Sequence, residues 1–328
     1  MRKSFYIIIL LLFIFSSCKT PQDEDLNLKH INHIANSINN DLSEIRENVF
    51  NTAKILQHNI PFNKEAKEIS KNLYKTTSAG TLISKNSQSL SAVYCPSGCV
   101  ITDHLKNVIV NSEALDSIFI SLTQKSPLLS QVYFLDTNSF LRIYPFIDVE
   151  NYLTPNINLK KLAPFQTINK KPLINDKAYW LNRPFADPFG RGWIISCVEP
   201  IYYRDQFIGM LSGDITLRSL KTKYFKSGTE LILLIDQKGK IICCTKEAGK
   251  ITNIPQIREF GYYKPISEDI YVHNIPSLLD HKNKNLKKAV KSLLSGETKE
   301  SFIIDNNKYT IYMSEVSETD WYLLKIIN

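Results

Sequence analysis

The sequence predicts an α+β protein, one long N-terminal helix followed by two tandem modules, each built on an antiparallel sheet. Three observations carry that prediction. An apolar stripe runs Ile31, Ile34, Ile38, Leu42, Ile45, Val49, Ala53, Leu56, Ile60, in steps that alternate between three and four, the period of a single amphipathic helix. Trp193 to Val198 and Pro200 to Tyr203 make an apolar, β-rich run that turns at Arg204-Asp205-Gln206 and returns as Phe207 to Ile215, the pattern of a long hairpin. An order of strand, turn, strand, helix and further antiparallel strands occurs over 127–217 and again after Leu217.

The elements follow in chain order. Met1-Arg2-Lys3 is cationic, Phe5 to Phe15 is an eleven-residue apolar core, and Ser16-Ser17-Cys18 supplies small residues before a cysteine. This is the build of a secretory signal peptide over residues 1–17, too short to span a bilayer. Phe15-Ser16-Ser17-Cys18 resembles a bacterial lipoprotein box, with Phe where Leu is usual. Processing there makes Cys18 the lipidated first residue, and residues 18–60 then form the anchor, a short tether and the long helix. The other reading is ordinary secretion. No other segment reaches the roughly 18 apolar residues of a membrane-spanning helix.

The long helix covers about thirty residues, or roughly 45 Å, and stops at Pro61. Its stripe suits two modules stacked along it, the seam of a homodimer, or both together. His30 and His33 fall on its first, solvated turns. Asn63 to Lys75 reads as a second helix and Glu113 to Gln124 as a third. Gln131 to Leu135 and Phe140 to Tyr144 read as strands joined by the turn Asp136-Thr137-Asn138-Ser139. Residues 148–178, rich in Asn, Lys and Pro, read as a loop with short helices, such as commonly walls a pocket.

Past Leu217 come strands Glu230 to Ile235 and Lys240 to Thr245 about the turn Asp236-Gln237-Lys238-Gly239, then a helix Leu286 to Leu294 that ends at Gly296. Strands Glu300 to Ile304, Lys308 to Ser314 and Trp321 to Ile326 follow, with Asp305-Asn306-Asn307 as a hairpin turn. That order describes a PAS-like module. The expected division is 61–220 for a first module and 221–328 for a second.

Composition is that of a folded soluble chain, 43% hydrophobic and 22% charged. The formal charge of +8 falls to +6 once Arg2 and Lys3 leave with the signal peptide. The excess sits in Lys-rich segments such as Lys282 to Lys291, without the clustered Arg or aromatic interleaving of a nucleic-acid site. Affinity for anionic surfaces is compatible with it. Cys95 and Cys99 stand in Tyr94-Cys-Pro-Ser-Gly-Cys99, where a small loop disulfide and two free thiols are the alternatives in an oxidising compartment. Cys197, Cys243 and Cys244 read as inert strand thiols. No H-E-x-x-H, G-x-S-x-G or phosphate-cradling glycine loop occurs, and His104, His273 and His281 lack evident catalytic partners. The sequence therefore predicts no enzyme, no metal and no cofactor.

The run from Tyr179 to Leu217 carries a resemblance. Trp180, Pro184-Phe185-Ala186-Asp187, Ile194-Ile195-Ser196, Glu199-Pro200-Ile201-Tyr202 and Phe207-Ile208-Gly209-Met210-Leu211-Ser212-Gly213-Asp214-Ile215 together resemble the double Cache extracytoplasmic sensor domains. The resemblance implies two PAS-like modules on one long helix, 61–220 as the membrane-distal one that binds a small-molecule ligand and 221–328 as the membrane-proximal one. It also implies an output region after the sensor. This chain stops at the aromatic-aliphatic strand Trp321 to Asn328, so the expectation is a stand-alone lipoprotein that passes signal or ligand to a membrane-bound signalling or transport partner.

In the amino-acid-binding branch two acids hold the ligand ammonium, and Asp214 and Asp187 match them, with Phe185 where Tyr is usual. The matching Arg-x-Trp-Tyr stretch is here Lys161-Leu162-Ala163-Pro164-Phe165, which lacks both the Arg that would fork a carboxylate and the Trp. An amine, a purine-like base or a cationic small molecule is thus expected, boxed by Tyr133, Tyr144, Phe165, Trp180 and Phe185, while Arg183 and Arg142 offer a carboxylate-binding alternative. Asp187 before Pro188 also suits an Asx-turn cap, and Asp214 a strand-end hydrogen bond. The competing function is a ligand-free scaffold lipoprotein using the same fold for protein contacts.

Overall fold

The computed structural model describes residues 25–59, 68–85, 90–170, 177–225, 229–254 and 275–328. The signal peptide, Cys18, Pro61 and His273 lie outside them. Helix α1, Leu26–Asn59, is the predicted long helix. Its stripe is buried as expected, from Ile31, Ile38 and Leu42 to Ile45, Val49, Ala53 and Leu56, and each such Leu or Ile contributes on the order of 1.5–3 kcal/mol by leaving water. Among the described residues no helix is long and apolar enough to cross a membrane.

The larger sheet begins with three short strands, β1 (Tyr74–Thr76), β2 (Leu82–Ser84) and β3 (Ala92–Cys95). Helices α2 (Asp103–Asn111) and α3 (Leu115–Lys125) precede β4 (Leu129–Asp136) and β5 (Leu141–Tyr144). A long excursion containing α4 (Ala163–Lys170) leads to β6 (Tyr179–Trp180), β7 (Phe185–Ala186) and the hairpin β8 (Trp193–Tyr203) and β9 (Gln206–Thr216). Strand order is β1-β2-β3-β5-β4-β9-β8-β6, with β7 also on β8. The Asn63 to Lys75 helix is not formed where its residues are described: residues 71–73 turn and Tyr74 enters β1. The Gly80 turn (φ 81°) pairs β1 with β2, and that hairpin takes the chain into the sheet instead.

Helix α5 (Leu217–Tyr224) connects to the smaller sheet, β10 (Leu231–Asp236), β11 (Ile241–Cys244), α6 (Lys246–Ile251), α7 (Lys284–Leu294), β12 (Lys299–Ile304), β13 (Asn307–Val316) and β14 (Trp321–Ile327). Its order, β11-β10-β14-β13-β12, matches the sequence β5-β4-β9-β8-β6 within the larger sheet. The repeat seen in the sequence is thus a repeat of topology. Both long hairpins turn on two residues with positive φ, Arg204-Asp205 (48° and 63°) and Asp305-Asn306 (48° and 63°). These are type I′ turns, one residue tighter than read from the sequence.

α1 joins the two sheets. Arg46 grips Glu318 with two hydrogen bonds of 2.9 and 3.2 Å, Asn39 Oδ1 accepts from the Glu318 backbone at 3.2 Å, and the Trp180 indole donates to Leu42 O at 3.2 Å. Trp321, fully buried, donates to Asn182 O at 2.9 Å and so ties the smaller sheet to the loop ahead of β7. Cys95 is buried and Cys99 half-buried, both as free thiols. Cys99 Sγ donates to Asn138 O at 3.6 Å, and burial, with Cys99 beside it, pushes the Cys95 thiol well up.

Candidate functional site

The antiparallel register decides which side chains share a face. Gln131 pairs with Asp214 and Tyr133 with Ser212 between β4 and β9, and Ser196 pairs with Asp214 between β8 and β9. Successive residues of a strand alternate faces, so Gln131, Tyr133, Ser196, Ser212 and Asp214 stand side by side, on the face turned away from α1. Phe185, opposite Ile194, extends the row, and Asp187 follows it two residues on. Above this face lie Val149, Leu153, Leu159 and Phe165 from the excursion between β5 and β6, in one apolar cluster with Tyr133 and Phe185.

Inside that cluster the polar groups form a connected set. Asp187 is 0% and Asp214 1% exposed. Gln131 Nε2 donates to Asp214 Oδ2 at 2.5 Å and to Asp187 Oδ1 at 3.4 Å, bridging the two acids. Ser212 Oγ donates to Asp214 Oδ1 at 3.0 Å. Asp187 accepts the backbone N–H groups of Phe189 and Arg191, each at 3.1 Å, which makes it the cap of its own turn. The Arg191 guanidinium lies 3.6 Å from Asp187 Oδ2 and also donates to Gln131 Oε1. Among the described residues no cation pairs with Asp214. The buried Ser196 Oγ has no hydrogen-bond partner of acceptable geometry, although it stands near enough to act on the Asp214 carboxyl.

These surroundings set the protonation. Burial raises Asp214 to about 7, against the pull of the Ser196, Gln131 and Ser212 dipoles and with a further push from Asp187. Burial also raises Asp187, opposed by the Arg191 charge and the two backbone donors. Tyr133 is driven well above the ordinary phenol range by burial and by Asp214. An acid poised near neutrality can accept from an ammonium or N–H donor when ionised and donate when protonated.

The expected box is only half assembled here. Tyr133, Phe165 and Phe185 belong to the acid face. Trp180 and Tyr144 do not: they pair with Cys197 and Val132, whose side chains point to α1, and both pack in the core on that side. Arg183 is exposed in the loop between β6 and β7. Arg142 is buried on the α1 side, held by Tyr74 Oη at 2.7 Å, Ser112 Oγ at 3.0 Å and Asp116 at 3.4 Å; it clamps β5 to β1 and α2 and is not open to a ligand. Lys161 is exposed at the end of a short 3-10 turn while Phe165 points inward. Sequence reasoning missed Gln131, Ser196, Ser212 and Arg191. The available signals were a Gln within an apolar strand and an Arg four residues after Asp187.

Among the described residues no cluster of three or more His, Cys, Asp or Glu is arranged to hold a metal ion. No protein-family model and no curated protein matches the chain. Solved structures do match. The sensory domain of the Campylobacter jejuni chemoreceptor Tlp3 (CcmL) with isoleucine bound is 14% identical, with a TM-score of 0.53 over 92% of this chain and 93% of that one. The Tlp3 ligand-binding domain in complex with L-valine is 15% identical at TM-score 0.53, again over 92% and 93%. The ligand-binding domain of the Pseudomonas aeruginosa PAO1 amino acid chemoreceptor PctB in complex with L-Gln is 13% identical at TM-score 0.50, over 93% and 90%. The fold of this chain is the double Cache fold.

Proposed function

We propose that the chain is a small-molecule-binding sensory or solute-binding module, anchored outside the cytoplasm through Cys18, which takes an amine-containing or cationic ligand on the acid face of its larger sheet. The observation that supports this most is Asp214: a carboxyl 1% exposed, without a cation among the described residues, on a face roofed by a loop and bordered by Tyr133, Phe165 and Phe185. A buried acid costs stability unless something compensates it, and a ligand ammonium would supply that compensation. In this reading residues 61–220 form the membrane-distal, ligand-binding module and 221–328 the proximal one, and signal or ligand passes to a membrane partner.

Thermal unfolding of residues 19–328 in the presence of amines, amino acids, nucleobases and carboxylates tests the reading. A ligand at 100 times its Kd stabilises the native state by about 2.7 kcal/mol. An amine should give that shift, and Asp214→Ala should abolish it while leaving the circular dichroism spectrum intact. An unchanged affinity in the variant would remove Asp214 from the site. Anchoring is tested by Cys18→Ala, which should move the protein from the membrane fraction to the soluble one. One observation favours a ligand-free scaffold instead: Arg191 already lies against Asp187 and Gln131. Silence across the whole panel would select that alternative.

A further inference from the structure

The smaller sheet ends in an outer strand whose free edge faces a groove. β12 pairs with β13 on one side only. The bond from Met313 N to Thr298 O, 2.9 Å, fixes the phase of the ladder. In an antiparallel pair, alternate residues exchange both bonds with the partner, so Glu300, Phe302 and Ile304 face β13 and the backbone groups of Lys299, Ser301 and Ile303 point outward. Ile303 O confirms the phase, since it accepts from the Asn283 side chain at 2.8 Å. Among the described residues no strand covers the remaining outward groups.

Alongside that edge runs α7. Asn285, Lys288, Ala289 and Ser292 share one stripe of the helix, and between them and β12 lies a groove of about 280 Å³, also lined by Ser301, Phe302 and Lys308. Its acid is already engaged, since Ser292 Oγ donates to Glu300 at 2.6 Å. Ile303, at the edge, is 48% exposed. Seven lysines against three carboxylates occupy 282–308, and Lys282, Lys284, Lys287, Lys288 and Lys291 are all exposed.

We infer that this groove is a docking site for an extended, acidic segment of a partner protein, which adds to β12 as a further strand. Strand addition takes its affinity from main-chain hydrogen bonds and its specificity from flanking pockets. Ser301 offers a donor and an acceptor, Ile303 a donor and an apolar contact, and the helix and Lys308 a cationic wall that selects acidic side chains. A membrane surface would use the lysines but could not reach the backbone groups between strand and helix. The inference stands apart from the acid pair of the larger sheet and does not depend on ligand binding there.

The test is selection of random octapeptides on display against the full-length chain. Enriched sequences are expected to alternate β-branched or aromatic residues with Asp or Glu. Binding should fall at least about tenfold in Ser301→Pro, which removes only an outward N–H and is tolerated on an edge, and likewise in Lys288→Glu/Lys308→Glu; Asp214→Asn should leave it unchanged. The unfolding midpoint of Ser301→Pro shows that the sheet is kept, and slowed amide exchange at Ser301 and Ile303 on adding a selected peptide reports the new strand. Absence of any enriched sequence, or binding that survives Ser301→Pro, overturns the inference. So does a chain that selects no peptide but binds vesicles rich in anionic phospholipid through Lys288 and Lys308, an outcome that assigns the patch to a lipid surface.

Discussion

At the scale of single residues, Asp214 carries a prediction whose sign follows from its burial. Its carboxyl is raised to about 7 in the folded chain from an ordinary value of 3.8. Between those values the native state keeps a proton that the unfolded chain has released, so stability falls as pH rises through the window and levels off above it. Asp136, pushed by burial to about 6, adds a slope of its own, so the difference between wild type and Asp214→Asn is the quantity to read. Urea denaturation from pH 4 to 8 should show wild type losing on the order of 2–4 kcal/mol more than Asp214→Asn; parallel pH profiles would show that Asp214 does not titrate in this window. A ligand ammonium needs the ionised acid, so amine affinity should rise with pH and flatten above about 7. The two acids were legible because each interrupts an apolar stretch. The faces of Trp180 and Tyr144 were not, since a one-residue change of register reverses a side chain and the pairings with Cys197 and Val132 join strands far apart in sequence. Gln131 and Arg191 converge on Asp187 across 56 and four residues respectively, and only the nearer was within reach of local reading.

At the scale of elements, two motif glycines acquire a physical reason. A Cβ on Gly209 would lie 2.5 Å from Leu135 O and 2.9 Å from Asp136 Cα, and one on Gly213 would lie 3.0 Å from side-chain atoms of both Leu129 and Val49. The first lets β9 close against the end of β4, and the second lets α1 settle on the sheet. Because Gly209 meets backbone, which cannot swing aside, Gly209→Ala should destabilise the chain by about 1–3 kcal/mol, measured by chemical denaturation; Gly213→Ala meets only side-chain ends and should cost less. An equal or reversed order would contradict this packing. Long periodic elements were readable for the same reason they are stable, a continuous apolar face. α1, the two hairpins and α7 fall within a few residues of expectation. The three- and four-residue strands β1, β2 and β3 are too short to show a period, and the helical reading of Asn63 to Lys75 failed where β1 takes over. α2 was missed although Thr102 caps it, accepting from Leu105 N, and Leu105, Val108 and Ile109 repeat at helical spacing.

For the whole molecule, the shared helix makes the two sheets energetically dependent on each other. α1 lays one buried stripe across both, Ile31 and Ile38 toward the smaller sheet's end and Val49 and Leu56 toward the larger, and Arg46, placed between, holds Glu318 in a bidentate pair that is largely shielded from water. A helix of this length gains most of its stability from packing, not from intrinsic propensity. Loss of either sheet therefore strips half of the apolar face from α1 and weakens the seat of the other. Three tryptophans serve as probes, Trp180 and Trp193 on strands of the larger sheet and Trp321 on a strand of the smaller, where its indole also meets Asn182 O. Trp321→Phe leaves fluorescence from the larger sheet alone, and Trp180→Phe/Trp193→Phe from the smaller sheet alone. Each set is compared with the circular dichroism transition of the same variant, which cancels the cost of the substitution itself. Coincident midpoints within each variant are expected, the mark of one cooperative unit. A fluorescence transition that separates from the circular dichroism would mean that α1 can stay docked on one sheet after the other has melted, and a ligand-induced change at the larger sheet would then have no mechanical route through the helix to the smaller one.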